Sequence, residues 1–97
     1  MAVLGSTELT QALQQLPKWR VEDGALVREV TFPSFPAAIQ FVDQLAVRAE
    51  QHQHHPDIDI RYTRVRLSLV THDAGGLTAK DIAMAAEIDA LLSRSAG

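Results

Sequence analysis

The dipeptide Asp23-Gly24 constrains the fold of this chain more than any other short stretch. A two-residue turn between antiparallel strands needs a positive φ at both positions, and aspartate and glycine are among the few residues that accept it. Apolar residues alternate with polar ones on both sides of the pair. The pattern predicts a β-hairpin in which Val21 lies opposite Leu26 and Trp19 lies opposite Arg28.

A second hairpin is predicted further along the chain. Apolar and polar residues alternate over 58–62 and again over 65–69, and the alternation changes phase between the two runs. A tight turn at Thr63-Arg64 accounts for the change of phase. In that register Tyr62 pairs with Val65, and every further pair of residue numbers has the same sum.

Three other segments carry apolar residues at helical spacing. The first helix is predicted over 7–16, because Pro17 follows as a stop. The second begins after Ser34, which is a plausible cap, and cannot continue through Pro56. The third follows Gly75-Gly76 and runs toward the end of the sequence.

The predicted order is therefore α-β-β-α-β-β-α. Two hairpins and three helices make an α+β fold, with one four-stranded antiparallel sheet and the three helices packed on one face. We expect residues 1–97 to form a single domain. The other face of the sheet is then left partly bare, and this predicts a homodimer or a homotetramer.

Composition excludes several kinds of function. The chain has no cysteine, so disulfides, thiolate catalysis and cysteine-bearing zinc sites are ruled out. Its net charge is −3 and its basic residues form no stripe, which argues against direct binding of nucleic acid. It shows neither a signal peptide nor an apolar run long enough to span a membrane. We therefore expect a cytoplasmic protein with no membrane partner.

The histidines are unusually concentrated. The chain has four, and three of them, His52, His54 and His55, fall within four residues directly before Pro56. They lie where the second helix ends and the third strand begins. The register predicted for the second hairpin, extended outward, brings His55 opposite His72. Opposed Cβ atoms lie about 4.5–5.5 Å apart, so two histidines distant in sequence are predicted to meet.

Three interpretations of this cluster remain open on the residues alone. Histidines near the C-terminus of a helix suit the negative end of its dipole, and this accounts for His52 without any function. Three or four imidazoles could instead bind a metal, although the adjacent His54 and His55 point in different directions. The third interpretation is acid–base chemistry, because histidine both gives and takes protons near neutral pH.

These residues resemble a known family, the pterin-4a-carbinolamine dehydratases, whose mammalian member is also a dimerisation cofactor of a transcription factor. The shared pattern is an acidic residue, then His-His-Pro, an aromatic residue, a histidine and an aspartate. Here those positions are Glu50, His54-His55-Pro56, Tyr62, His72 and Asp81. The resemblance extends over nearly the whole chain, and the family fold has the same order of helices and strands.

The resemblance implies dehydration of a 4a-hydroxytetrahydropterin, such as 4a-hydroxytetrahydrobiopterin, to the quinonoid dihydropterin. This lyase reaction belongs to tetrahydrobiopterin recycling, after an aromatic amino acid hydroxylase has turned over. The hydroxyl leaves as water and a neighbouring ring nitrogen loses its proton, so one acid and one base suffice. No metal, redox cofactor or covalent intermediate is implied.

The resemblance also implies the site residues. The three histidines of the family pattern are implied as catalytic: His54, His55 and His72. Residues implied as substrate-binding are Glu50, Pro56, Thr71, Asp73 and Asp81. We expect His55 and His72 to be the main proton-transfer pair, with His54 binding substrate and assisting.

Two acidic residues have further interpretations. Asp81 is equally well explained as the partner of Thr78 in a helix capping box. Glu50 could orient His54, which lies one helical turn further on.

Two alternatives to this function stay open. A non-catalytic protein on the same fold could bind a hydroxylase or a regulator. A homologue could also act on a different pterin, for example in molybdopterin metabolism. The intact set of three histidines favours the dehydratase, since a pure scaffold gains nothing from it.

Overall fold

The structure, a computed structural model, describes residues 2–96 and has the predicted order of elements. Its helices are α1 (Ser6–Gln14), α2 (Phe35–His52) and α3 (Ala79–Ala96). Its strands are β1 (Arg20–Glu22), β2 (Ala25–Thr31), β3 (Asp57–Arg61) and β4 (Arg64–Leu69). The four strands form one antiparallel sheet in the order β1-β2-β4-β3. The predicted α+β fold is confirmed.

The first hairpin forms where the sequence predicted it. Asp23 and Gly24 have φ angles of 51° and 78°, and Val21 pairs with Leu26. The predicted register is confirmed, but strand pairing stops at Arg20, so Trp19 and Arg28 do not form a further pair. The amide of Trp19 donates to the carbonyl of Leu16 at 3.0 Å, which holds the tryptophan in the turn that leaves α1.

The side chains of Trp19 and Arg28 nevertheless share a partner. The indole Nε1 of Trp19 donates to Oδ1 of Asp89 in α3 at 2.8 Å. The guanidinium of Arg28 pairs with the same oxygen. One carboxylate therefore connects α3 both to β2 and to the segment between α1 and β1.

The second hairpin has a register two residues away from the predicted one. Ile60 pairs with Val65 and Arg61 pairs with Arg64, so the loop is Tyr62-Thr63 instead of Thr63-Arg64. A shift by two leaves every side chain on the same face of the sheet, so alternation alone cannot distinguish the two registers. Tyr62 takes a φ of 54°, which its residue type gave no reason to expect.

The helices begin and end close to the predicted residues. The Ser34 side chain caps α2 and accepts from the amide of Ala37 at 3.2 Å, as predicted. Helix α1 starts one residue earlier than predicted, because Gly5 occupies the cap position and its amide donates to Glu8 at 3.0 Å. Helix α2 ends before Pro56, as the proline requires.

The core lies between the helices and one face of the sheet. Buried side chains from β2 and β4 meet those from α2 and α3, and the largest are Phe41, Leu26, Leu45, Leu67, Leu69, Met84 and Ile88. The partly buried Leu9 and Leu13 of α1 pack against this core. The helices and the sheet are therefore joined by one continuous apolar layer. This layer fixes the positions in space of the end of α2 and the start of α3.

The opposite face of the sheet carries charges that pair with one another. Arg20 donates to Glu29 at 2.7 Å and also pairs with Glu22, while Arg66 reaches Glu22 at 3.0 Å. The hydrogen bond from Arg20 lowers the pKa of the Glu22 carboxyl below its ordinary value. The uncovered face is thus polar and internally paired, and the homodimer or homotetramer stays a prediction.

No helix within the described part of the chain is long and apolar enough to cross a membrane.

The positive φ at Tyr62 predicts a measurable strain. The side chain is 76% exposed, so replacing it removes little packing. Glycine adopts this backbone conformation freely and alanine does not, so Tyr62→Gly should be more stable than Tyr62→Ala by about 1 kcal/mol. Urea denaturation measures the difference. The same pair of substitutions at Thr63, where φ is not positive, should favour alanine, and equal stability of the two Tyr62 variants would contradict the prediction.

Candidate functional site

The end of α2 separates the two adjacent histidines. Gln53 takes a left-handed conformation with φ of 50°, and its amide still donates to the carbonyls of the last helical turn. The amide of His54 donates to the carbonyl of Ala49 at 3.1 Å, which turns the chain back on the helix. His54 is consequently buried, whereas the His55 side chain is 60% exposed.

Asp81 lies at the centre of the buried polar groups behind His54. Its side chain is completely buried, and its Oδ1 lies 2.6 Å from Nε2 of His54. Its Oδ2 accepts from the hydroxyl of Thr71 and from the amide of Thr78, both at 2.8 Å. The bond to Thr78 is the predicted helix cap. Asp81 is therefore a cap through one oxygen and the partner of a histidine through the other.

The hydrogen-bond network assigns the proton on His54. Asp81 accepts from a backbone amide, which can only donate, and an ionised carboxylate has no hydrogen of its own. With Asp81 as a carboxylate, Nε2 of His54 is therefore the donor toward Oδ1. In a neutral imidazole this leaves Nδ1 as an acceptor, and Nδ1 makes no hydrogen bond with the part of the chain that the structure describes.

His72 lies in a short closed loop between β4 and α3. A 3-10 turn covers His72–Ala74, and Gly75 follows with a φ of 77°. Thr71 and Gly76 pair with each other as an isolated bridge, so the loop returns to its starting point. The N-terminal segment lies against this loop, where the amide of Leu4 donates to the carbonyl of Leu77 at 2.8 Å.

These elements surround a shallow cavity of about 240 Å³, called the histidine cavity below. Its lining residues are Gln53, His54, His55, Val70, Thr71, His72, Asp73 and Lys80. The three predicted histidines thus come together, although His55 and His72 are not paired across the hairpin. Strand pairing ends at Asp57, and it is the closed loop that brings His72 back to the cavity.

Three of the residues implied by resemblance lie outside the lining of the histidine cavity. Asp81 stands behind His54, and neither Pro56 nor Glu50 lines the cavity. The expectation that Glu50 orients His54 is wrong, because its carboxylate pairs with Nε2 of His55 instead. The left-handed Gln53 turns His54 away from the helix surface, and Glu50 remains 77% exposed. An ion pair this exposed contributes little to stability.

Sequence reasoning missed Gln53 and Lys80, and it missed one contact of Thr78. Gln53 is the left-handed residue, and no property of glutamine indicates that conformation. Lys80 stands in the first turn of α3, between Thr78 and Asp81 of the capping box. A site that includes Asp81 therefore also brings Lys80 close to His54. The Thr78 hydroxyl was predicted only as a cap, and it also contacts Thr71 at 2.7 Å.

Within the described residues, no group of three histidine, aspartate or glutamate side chains is arranged to hold a metal ion.

Comparison with known proteins gives a consistent result. A family model described as pterin 4 alpha carbinolamine dehydratase matches residues 2–91. A protein of Chloroflexus aurantiacus, provisionally named a pterin-4-alpha-carbinolamine dehydratase, is 53% identical over 92 residues, which cover 95% of this chain and 99% of that protein. A protein of Mycobacterium sp. (strain KMS) with the same provisional name is 51% identical over 94 residues, or 97% of this chain and 100% of that protein.

Two solved structures are similar as well. The crystal structure of a transcriptional coactivator/pterin dehydratase from Brucella melitensis matches with a TM-score of 0.88 and 36% identity, covering 92% of this chain and 97% of its own. A pterin dehydratase-like protein, identified as a RuBisCO assembly factor in the alpha-carboxysome, matches with a TM-score of 0.62 and 28% identity. That match covers 75% of this chain and 84% of the other.

The assigned proton on His54 predicts the effect of Asp81→Asn. The Thr78 amide can only donate, so the asparagine oxygen should take the Oδ2 position and its NH₂ should face His54. Neutral His54 should then carry its proton on Nδ1 instead of Nε2. Long-range ¹H–¹⁵N NMR of the imidazole distinguishes the two forms. Asp73→Asn is the matched control, because Asp73 lines the same cavity while the side-chain hydrogen bond of His54 goes to Asp81. An unchanged tautomer in Asp81→Asn would contradict the assignment.

Proposed function

Because the chain belongs to the pterin-4-alpha-carbinolamine dehydratase family, we propose that it dehydrates a 4a-hydroxytetrahydropterin to the quinonoid dihydropterin. The observation that carries the proposal is the buried contact of His54 with Asp81, beside a cavity that two further histidines line. Histidines that only occupied a solvent-exposed helix end would not need a buried carboxylate behind one of them. The natural pterin would come from an aromatic amino acid hydroxylase, and the product would be recycled.

The reaction needs two proton movements and no electron transfer. The hydroxyl on C4a receives a proton, and the carbon–oxygen bond breaks with its electron pair leaving on water. The neighbouring ring nitrogen gives up its proton, and its electrons form the new double bond to C4a. A site with one proton acceptor and one proton donor, placed at the ring nitrogen and at the hydroxyl respectively, meets both requirements.

We assign the acceptor to His54. Its Nε2 faces Asp81, so the neutral ring offers Nδ1 as a base. When the ring takes up a proton, the buried carboxylate stabilises the resulting cation and keeps the ring in one orientation, as the aspartate of a catalytic triad does. This differs from the expectation that His54 only binds and assists.

We assign the donor to His72 and a binding role to His55. His72 stands on the closed loop at another part of the cavity lining, and its ring is exposed to solvent, so water can restore its proton between turnovers. The Nε2 of His55 is already engaged by Glu50. Pro56 then acts only indirectly, by fixing the backbone direction of His55.

Asp73 and Lys80 supply complementary charges on the lining of the cavity. A pterin ring has amide N–H groups that donate and a carbonyl oxygen that accepts. We propose that the carboxylate of Asp73 accepts from the former and that the ammonium of Lys80 donates to the latter. Both contacts would fix the ring so that its C4a faces the histidines.

A non-catalytic function is the second candidate. The observation that favours it is the similarity to a pterin dehydratase-like protein identified as an assembly factor. On that hypothesis the histidines could be replaced without consequence, and the partner would be a hydroxylase or a regulator. Activity on a different pterin differs from the proposed function only in the substrate, so assays with different pterins distinguish the two.

The proposed roles predict distinct kinetics for the histidine variants. His54→Gln keeps a donor toward Asp81 but has no base, so turnover should fall about 10²–10⁴-fold, as for loss of a positioned acid or base. His72→Ala should lose turnover by a similar factor, and His55→Ala should mainly raise KM. The measurement is stopped-flow dehydration of a chemically generated 4a-hydroxytetrahydropterin.

His52→Ala is the control for the kinetic series. His52 is exposed at the end of α2 and does not line the histidine cavity, so its loss should leave turnover unchanged. Circular dichroism checks that each variant is folded. If folded His54→Gln and His72→Ala both keep wild-type turnover, the dehydratase proposal fails and the non-catalytic function is favoured.

Chelation provides a separate check on the proposed chemistry. Proton transfer between histidines and the pterin needs no Lewis acid, so exhaustive treatment with EDTA should leave turnover unchanged. Dialysed protein assayed with and without added zinc serves as the measurement. Activity that disappears on chelation and returns with zinc would contradict a mechanism of proton transfer alone.

A further inference from the structure

Thr71 is a lining residue of the histidine cavity whose side chain is directed into the protein. The residue is 7% exposed, and its hydroxyl contacts two buried side chains. Oγ1 lies 2.8 Å from Oδ2 of Asp81 and 2.7 Å from Oγ1 of Thr78. The hydroxyl that a substrate in the cavity would meet is therefore already hydrogen-bonded to buried side chains.

The direction of each hydrogen bond in this group follows from its chemistry. The amide of Lys80 donates to Oγ1 of Thr78 at 3.2 Å, so that hydroxyl accepts there and has its hydrogen left to donate. Asp81 can only accept, so the Thr71 hydroxyl donates to it. The hydroxyl of Thr78 must then donate to Thr71. The Thr71 hydroxyl thus has no hydrogen left for a ligand.

The backbone of Thr71 holds the other histidine-bearing element. Its carbonyl accepts from the amides of Ala74 and Gly75 at 3.1 and 3.0 Å, and its amide donates to the carbonyl of Gly76 at 3.1 Å. These bonds close the loop that carries His72. One residue therefore joins the loop of His72 to the carboxylate that orients His54.

We propose that Thr71 is a positioning residue that fixes the proton of His54 through Asp81, instead of a residue that binds substrate. Its hydroxyl holds Oδ2 of Asp81, which leaves Oδ1 as the acceptor for Nε2 of His54. Because its backbone also closes the loop of His72, the two histidines keep one relative placement. This inference rests on the proposed function for its kinetic consequence, but the effect on the imidazole is independent of any activity.

The test compares Thr71→Val with Thr71→Ser. Valine has nearly the shape of threonine without the hydroxyl, and serine keeps the hydroxyl, so serine should restore what valine loses. Thr71→Val should lower kcat roughly tenfold at unchanged KM, the lower end of what outer hydrogen-bond partners of functional histidines contribute. In Thr71→Val only the amide of Thr78 still holds Oδ2, so the carboxylate can turn and Oδ1 no longer always faces Nε2. In ¹H–¹⁵N spectra, its neutral His54 should therefore show a mixture of tautomers, and Thr71→Ser should show the Nε2–H form alone.

The outcomes separate the inference from its alternatives. A raised KM with an unchanged His54 tautomer in Thr71→Val would mean that Thr71 binds substrate, and the inference is overturned. If the wild-type protein has no dehydratase activity, the proposed function fails while the tautomer comparison still decides the role of Thr71. Thr31→Val, an exposed threonine on β2, is the control for the substitution itself.

A measurement on the unsubstituted protein covers the case in which Thr71→Val does not fold. A hydroxyl that is buried and donates to a carboxylate exchanges its hydrogen slowly with water. The Thr71 hydroxyl proton should therefore appear as a resolved NMR signal with a cross-relaxation peak to Thr78. A hydroxyl that exchanges too fast to be observed in a folded protein would overturn the inference.

Discussion

The need to satisfy one buried negative charge organises this end of the molecule. A carboxylate removed from water is costly unless hydrogen bonds replace its hydration, and Asp81 is completely buried. Its three contacts come from three different parts of the chain: the end of α2, the loop after β4 and the start of α3. The bonds that make the charge tolerable are the same bonds that hold the histidine in one orientation. The stability of the buried carboxylate and the orientation of His54 therefore depend on the same hydrogen bonds.

A second carboxylate fixes the same helix further along. Asp89 accepts from Trp19 and pairs with Arg28, so α3 is tied to the sheet and to the segment after α1. Asp81 and Asp89 lie eight residues apart, and the buried Ala85 and Ile88 pack into the core between them. Apolar packing alone would allow the helix to slide or rotate slightly on the sheet. The two polar attachments remove that freedom, and this keeps the first turn of α3 next to His54.

Local sequence signals predicted most of the fold and that His55 and His72 border one cavity, and they failed where long-range geometry decides. The local signals act within a few residues of their own position. A turn forms at Asp23-Gly24, a helix cap at Ser34 and a helix end before Pro56, as the chemistry of each predicts. The register of the second hairpin was wrong because alternation is unchanged by a shift of two. The partner of Glu50 was wrong because spacing on a helix cannot foresee the left-handed Gln53 that follows it. Asp81 was seen as a cap or a site residue, whereas its two oxygens allow it to be both.

The small volume of the histidine cavity determines which part of a ligand the protein can sense. A cavity of about 240 Å³ is smaller than the roughly 300–1,000 Å³ that encloses a drug-sized molecule. On the proposed function, a bicyclic ring that reaches the three histidines would occupy most of this volume, and a substituent on its far edge would lie in water. Groups that touch no protein atom contribute nothing to the difference in affinity between two ligands. On the proposed function, such a site would select for the ring system and not for the substituent that the ring carries.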